Sequence, residues 1–220
     1  MRIIDQSAFV LDPLCMDEGI RALKLCERAG RECYNSVDKI TDDSYERFLR
    51  GIITRGHTSV LEHGKVTLEV VTGRDVLAEI TRHRAGIVFS VQSQRYVQAD
   101  KEGGIAFIKP HFYVPPDGGL LEAKAYAASR AWEADMRFLE AAYSRNINEY
   151  GMPPEDARKV LPNSTATQFI VTTNFRELLH IIELRTSVRA YPEMRIMMDC
   201  VINALKRVMP PIWEWGRTDD

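Results

Sequence analysis

The spacing of apolar positions changes period several times along this chain, and each change predicts an element. Residues 2–11 predict a strand, and residues 16–29 and 42–55 predict helices, the second entered through Thr41 or Asp42 as N-cap. Over 64–73, Val66, Leu68 and Val70 alternate with Lys65, Thr67 and Glu69, the period of a half-buried strand bounded by glycines. A short helix starts at Arg74. Residues 105–114 predict another strand, broken or bent at Pro110, and Pro115-Pro116-Asp117-Gly118-Gly119 predicts a turn. From 120 to 150 the positions Leu121, Ala125, Ala128, Trp132, Met136, Leu139, Tyr143, Ile147 and Tyr150 keep helical spacing. Such a helix is about 45 Å long at 1.5 Å per residue, so its apolar face either packs on a neighbouring subunit or kinks inside one core.

Pro153-Pro154 opens a short helical turn that ends at Leu161-Pro162, and the β-branched run over 164–173 predicts a strand. Asn174 is the N-cap of a helix to about 188, with Glu177 at the reciprocal capping-box position. A last helix covers 192–208, closed by Pro210-Pro211. The connections do not repeat a βαβ unit. The pattern predicts one α/β domain of the α+β type over 1–220, a mostly antiparallel sheet flanked by long helices.

Composition narrows the class of protein. At 220 residues, 45% hydrophobic, the chain can bury a full core. A net charge of -2 and a pI near 6.2 argue against a protein that coats nucleic acid. No run is long enough for a signal peptide or membrane span. The four cysteines, Cys15, Cys26, Cys33 and Cys200, show neither CxxC pairing nor zinc spacing, as expected of free thiols in a reducing cytoplasm.

Against this mildly acidic background, one segment is dense in anion-binding groups: Arg82-His83-Arg84, then Ser93-Gln94-Arg95-Tyr96. The apolar stripe Val76, Leu77, Ile80, continued by three or four residues, lands on His83 and Arg84 and predicts that the motif faces inward. Cations at a helix C-terminus also complement its dipole. Several inward guanidiniums, however, need an anionic partner to offset desolvation. Arg185 lies in the apolar stripe formed by Leu178, Ile181, Ile182 and Val188. It is either an internal salt-bridge partner, for instance of Glu183 or Glu193, or a planar donor fork for a carboxylate, phosphate or pyrimidine edge. Arg176 and His180 stand one turn apart on the same helix.

The polar stretch Gly56 to Lys65 lacks the glycine spacing and hydroxyl of a P-loop, and His57, Glu62 and His63 have no recognised metal spacing. It reads as a loop whose His57 and Ser59 line a ligand pocket. No dinucleotide-binding glycine fingerprint occurs anywhere, and no metal is expected.

These residues together resemble the flavin-dependent thymidylate synthases. That family's hallmark is Arg-His-Arg, seven residues, then Ser, continuing into a Gln-Arg-Tyr-like tail. Arg82-His83-Arg84 and Ser93-Gln94-Arg95-Tyr96 match it, with eight residues between them, Ala85 to Gln92. The likeness extends to Gly30-Arg31-Glu32-Cys33-Tyr34, His57 to His63, Ala157 to Pro162, Asn174-x-Arg176 and Leu184-Arg185. The resemblance implies synthesis of deoxythymidylate (dTMP) from deoxyuridylate (dUMP), with 5,10-methylenetetrahydrofolate as one-carbon donor and NADPH as reductant through bound FAD. It implies no cysteine nucleophile, and a cytoplasmic homotetramer with shared active sites. By this similarity Ser59, Arg82, His83, Arg84, Asn174, Arg176 and His180 contact FAD, His180 standing where an amide is common. Glu79, Arg82, Gln92, Ser93, Gln94, Arg95, Arg158 and Arg185 contact dUMP, and Arg185 is the catalytic residue. A different class of protein, an RNA- or nucleotide-binding regulator, would use the basic segment with Tyr34, Phe89 and Tyr96 for stacking, but these aromatics do not cluster beside the motif.

Overall fold

The computed structural model describes residues 1–96, 98–99, 103–116 and 123–215. They form two compact units, one from Met1–Gln6, Val71–Ile80 and Val91–Phe169, the other from Ser7–Val70, Thr81–Ser90 and Ile170–Asp220. The predicted first strand is in fact two, β1 (Arg2–Ile4) and β2 (Ser7–Asp12), which enter different sheets. The polar pair between them separates the two: Asp5 meets Lys109, and the Gln6 side chain accepts from the Thr72 hydroxyl at 2.5 Å.

Helix α1 (Met16–Cys33) runs a turn beyond its predicted end, burying Gly19, Leu23, Cys26, Glu27 and Gly30. The wholly buried Glu27 carboxylate is satisfied by Arg31 at 3.1 Å and by the Ser44 hydroxyl at 2.8 Å. That contact settles where α2 (Ser44–Thr54) begins: its N-cap is Asp43 rather than Thr41 or Asp42, and Ser44 Oγ also accepts from the Thr41 N–H. A 3-10 turn at Thr58–His63 packs on α1. It leads into β3 (Lys65–Gly73), which buries Val66, Leu68 and Val70 as its alternation requires.

Helix α3 (Arg74–Ile80) ends before it reaches His83 and Arg84. Because the helix stops at Ile80, only His83 of the Arg-His-Arg motif turns inward, and Arg82 and Arg84 are exposed. Strand β4 (Ile87–Val91) was not foreseen. Pro110 does not bend a long strand; it ends β5 (Ala106–Ile108) in a turn where Tyr113 N–H donates to the Pro110 carbonyl at 2.9 Å. Residues 117–119 of the predicted turn and the first residues of the predicted long helix lie outside the described residues. Helix α4 (Ala123–Asn148) is straightforwardly long, about 39 Å at 1.5 Å per residue. Met136 and Tyr143 join Ile105, Phe107 and the Ala157 of α5 (Pro154–Ala157) in a core, with Trp132, Leu139 and Ile147 against it. Ala128 and Tyr150 of the predicted stripe are exposed.

Strand β6 (Ala166–Asn174) is followed directly by α6 (Phe175–Arg185) and then α7 (Pro192–Leu205), both ending about three residues before their predicted ends. β1 runs parallel to β5, with Arg2 opposite Ala106 and Ile4 opposite Ile108. The other strands form a four-stranded sheet in the order β2-β3-β6-β4, antiparallel as the sequence pattern predicts. Among the described residues, no helix is long and apolar enough to cross a membrane.

Candidate active site

The junction of β6 and α6 organises the chemistry. Asn174 has extended backbone and its side-chain oxygen accepts from the Glu177 N–H at 2.8 Å, so the predicted N-cap is present. The other half of the predicted capping box goes elsewhere. Asn174 N–H donates to the Gly86 carbonyl at 2.9 Å, and the Glu177 carboxylate lies 2.8 Å from His83 Nδ1. Gly86 takes φ of +67°, and a Cβ there would overlap the Asn174 amide, so this approach requires glycine. Gly64 has a similar role behind the helix: its carbonyl accepts from Phe175 N–H at 3.0 Å, and the Phe175 ring and Cys26 thiol fill the space of a Cβ. Burial behind this wall pushes the Cys26 thiol up to about 12, which suppresses its reactivity.

His83 is the centre of the cluster. Its second nitrogen, Nε2, is 3.1 Å from Nε of Arg185, and the His180 ring meets it edge-on at 5.8 Å. Arg82, His180 and Arg185 line an open cavity of roughly 870 Å³ with it. Neither sequence alternative for Arg185 included this contact with His83. Asn174, Arg176, His180 and Gly86 line a second cavity of roughly 680 Å³, which shares His180 with the first, and Glu62 holds Arg176 at 2.6 Å. Arg176 also faces a hollow of roughly 330 Å³ with Ser59, His57, Gly30 and Cys33. Ser59, Arg82, His83, Asn174, Arg176, His180 and Arg185 are therefore gathered around α6. Arg84 is exposed and lines none of these cavities.

By distance, His83, Glu177 and His180 also qualify as a cation site, their ligand atoms lying within 4.8 Å of one another. Both His83 nitrogens are already engaged, and Arg82 and Arg185 share the cavity, so the set serves as a hydrogen-bonding cluster.

The remaining expected residues belong to the other unit. Gln92, Ser93 and Gln94 line a hollow of roughly 380 Å³ floored by Thr165 and Thr167. Arg95 Nε is 3.1 Å from the Glu155 carboxylate, and Arg158 Nε donates to the Glu155 backbone carbonyl at 3.3 Å, so one residue holds both guanidiniums. Glu79 lies half-buried on α3. The pairing of Glu62 with Arg176, the approach at Gly86 and the contact of Glu177 with His83 are not signalled by local pattern. The close approach at Gly86 was signalled only by the glycine itself, two residues after the motif.

The family model for thymidylate synthase complementing protein matches residues 17–211. The chain is 35% identical over 192 residues to a flavin-dependent thymidylate synthase of Geobacter sulfurreducens, covering 84% of this chain and 78% of that protein. It is 33% identical to the Pyrococcus furiosus protein of the same name, covering 83% and 72%. In fold it is similar to the UMP/dUMP methylase PolB of Streptomyces cacaoi, solved with 5-Br dUMP, at a TM-score of 0.75 and 22% identity over 98% of this chain and 96% of that one. The chain belongs to the flavin-dependent thymidylate synthase family.

Proposed function

We propose that this protein converts dUMP to dTMP by reductive methylation, with 5,10-methylenetetrahydrofolate as one-carbon donor and NADPH as reductant through bound FAD. The observation that carries this reading is the convergence of Arg82, His83 and Arg185 on one cavity, in a chain of this family. The donor set around α6 suits a flavin dinucleotide: a cavity of roughly 680 Å³ beside a guanidinium, an amide and an imidazole can take a pyrophosphate and a planar ring. In the proposal Ser59, Arg82, His83, Arg84, Asn174, Arg176 and His180 hold FAD, which supplies hydride chemistry when bound.

In the proposed reaction Arg95 and Arg158 orient the phosphate dianion of dUMP, with Gln92, Ser93, Gln94 and Glu79 completing its site. Arg185, with its permanent charge, favours ionisation at N3 of the pyrimidine and so raises the nucleophilicity of carbon 5. No cysteine attacks the ring; the elevated thiol of Cys26 is in keeping with that. We further propose a cytoplasmic homotetramer with shared sites, in which part of the exposed face of α4, including Phe138, meets another subunit.

The test is a spectrum followed by an assay. Purified protein, reconstituted with FAD, is expected to show flavin absorbance and to oxidise NADPH only when dUMP and methylenetetrahydrofolate are present, with dTMP identified by mass. UMP is offered in parallel, because the Streptomyces protein is described as a UMP/dUMP methylase. Lack of flavin uptake, or NADPH oxidation indifferent to nucleotide, sinks the proposal. Replacing all four cysteines is expected to leave turnover in place; complete loss with flavin still bound would favour a covalent cysteine mechanism.

A further inference from the structure

Glu177 plays no part in the reaction as set out above, yet its carboxylate is largely buried, 13% exposed, against an imidazole that is 7% exposed. An ionised carboxylate only accepts hydrogen bonds, and a guanidinium only donates. Between them stands His83, with Glu177 Oε1 at 2.8 Å from Nδ1 and Arg185 Nε at 3.1 Å from Nε2. One arrangement satisfies both contacts: hydrogen on Nδ1, donated to Glu177, and a lone pair on Nε2, accepting from Arg185. The opposite tautomer sets a lone pair against the carboxylate and N–H against N–H. A doubly protonated ring also loses the acceptor for Arg185.

We propose that Glu177 is a positioning residue that, by fixing the tautomer of His83, sets the orientation of the Arg185 guanidinium; its consequence for turnover rests on the function proposed above. The carboxylate is itself fixed at the backbone. Asn174 Oδ1 accepts from Glu177 N–H at 2.8 Å, and Asn174 N–H is tied to Gly86 O at 2.9 Å. The segment carrying His83 and the first turn of α6 are thereby joined three residues beyond the motif's histidine. A donor fork works by direction as well as charge, so rotation of Arg185 about its Nε removes its alignment without removing its charge.

The test reads the tautomer directly. Ring-¹⁵N-labelled holoenzyme is expected to show His83 as the Nδ1–H tautomer. Glu177→Gln keeps an acceptor of the same reach and is expected to keep that tautomer. Glu177→Met has similar length and no acceptor, and is expected to shift His83 towards Nε2–H. In the flavin-loaded enzyme, Glu177→Met should lower kcat at least tenfold while KM for dUMP moves less than threefold, and Glu177→Gln should recover most of the loss. An Nε2–H tautomer in the unmodified protein overturns the proposal, needing no variant that might misfold. So does a Glu177→Gln variant as impaired as Glu177→Met. The tautomer reading needs no turnover: the expected tautomer in a protein that makes no dTMP leaves the positioning geometry standing and overturns the functional reading instead.

Discussion

Two sets of cationic side chains are held in opposite ways. Arg185 is tied to a buried imidazole whose other nitrogen meets a largely buried carboxylate, and a backbone cap fixes that carboxylate. Arg95 lies at the surface, 54% exposed, paired with a Glu155 that is 44% exposed. The first arrangement resists change, because removing any member strands a buried polar group at a cost of about 1–3 kcal/mol. The second is weak, since exposed pairs contribute about 0–1 kcal/mol, and Glu155 can be exchanged for an incoming dianion at little cost. The contrast suits their proposed tasks. A group that polarises a ring has to be in place before the reaction, whereas groups that capture a phosphate gain from being reachable.

The sharpest way to break this contrast is Arg185→Lys. A point charge lacks the fork and its Nε–H, so turnover is expected to fall by roughly 10²–10³ while circular dichroism and flavin binding persist. Near-normal kcat would show that orientation there is unimportant. Arg95→Ala is expected to act on the other region alone, raising KM for dUMP about tenfold with kcat changed little; a fall confined to kcat would contradict the phosphate role. Asn174→Ala removes the cap and is expected to cost about 1 kcal/mol of stability, read from the urea midpoint. Glu155→Ala releases Arg95 from its carboxylate and should leave stability within about 0.5 kcal/mol while lowering KM for dUMP modestly. A large loss of stability would mean that this region is as firmly built as the other.

The smallest effect concerns the wall behind α6. Cys26 is raised in the folded protein to about 12 from 9.0 by burial, so folding favours its neutral thiol. Its contribution to stability is complete below about pH 9. It is lost as pH rises towards 12, because the unfolded chain ionises first. Cys26→Ala is expected to be less stable at neutral pH and to show a flatter alkaline decline than the parent protein. At pH 8, iodoacetamide should modify the exposed Cys15 and Cys33 and spare Cys26 in the folded protein.

Much of this molecule was legible from local pattern. The alternation in β3, the Asn174 cap, the long α4 and the residue types of the site all follow from interactions within a few residues, where periodicity and capping chemistry operate. The Arg-His-Arg motif and its companion blocks identified the family by residue type alone. What local pattern missed were choices between partners far apart in the chain. The strand over 2–11 divides because Asp5 and Gln6 find Lys109 and Thr72. Helix α2 begins where Ser44 meets the buried Glu27, and Glu177 forgoes its capping-box partner for His83, 94 positions away in the chain. Sequence by itself determined which chemical groups are present and which elements carry them, because composition and period are local. Only the tertiary structure decided which of the three motif residues turns inward and what orients Arg185, because a buried donor or acceptor takes whichever partner the packing brings within about 3 Å.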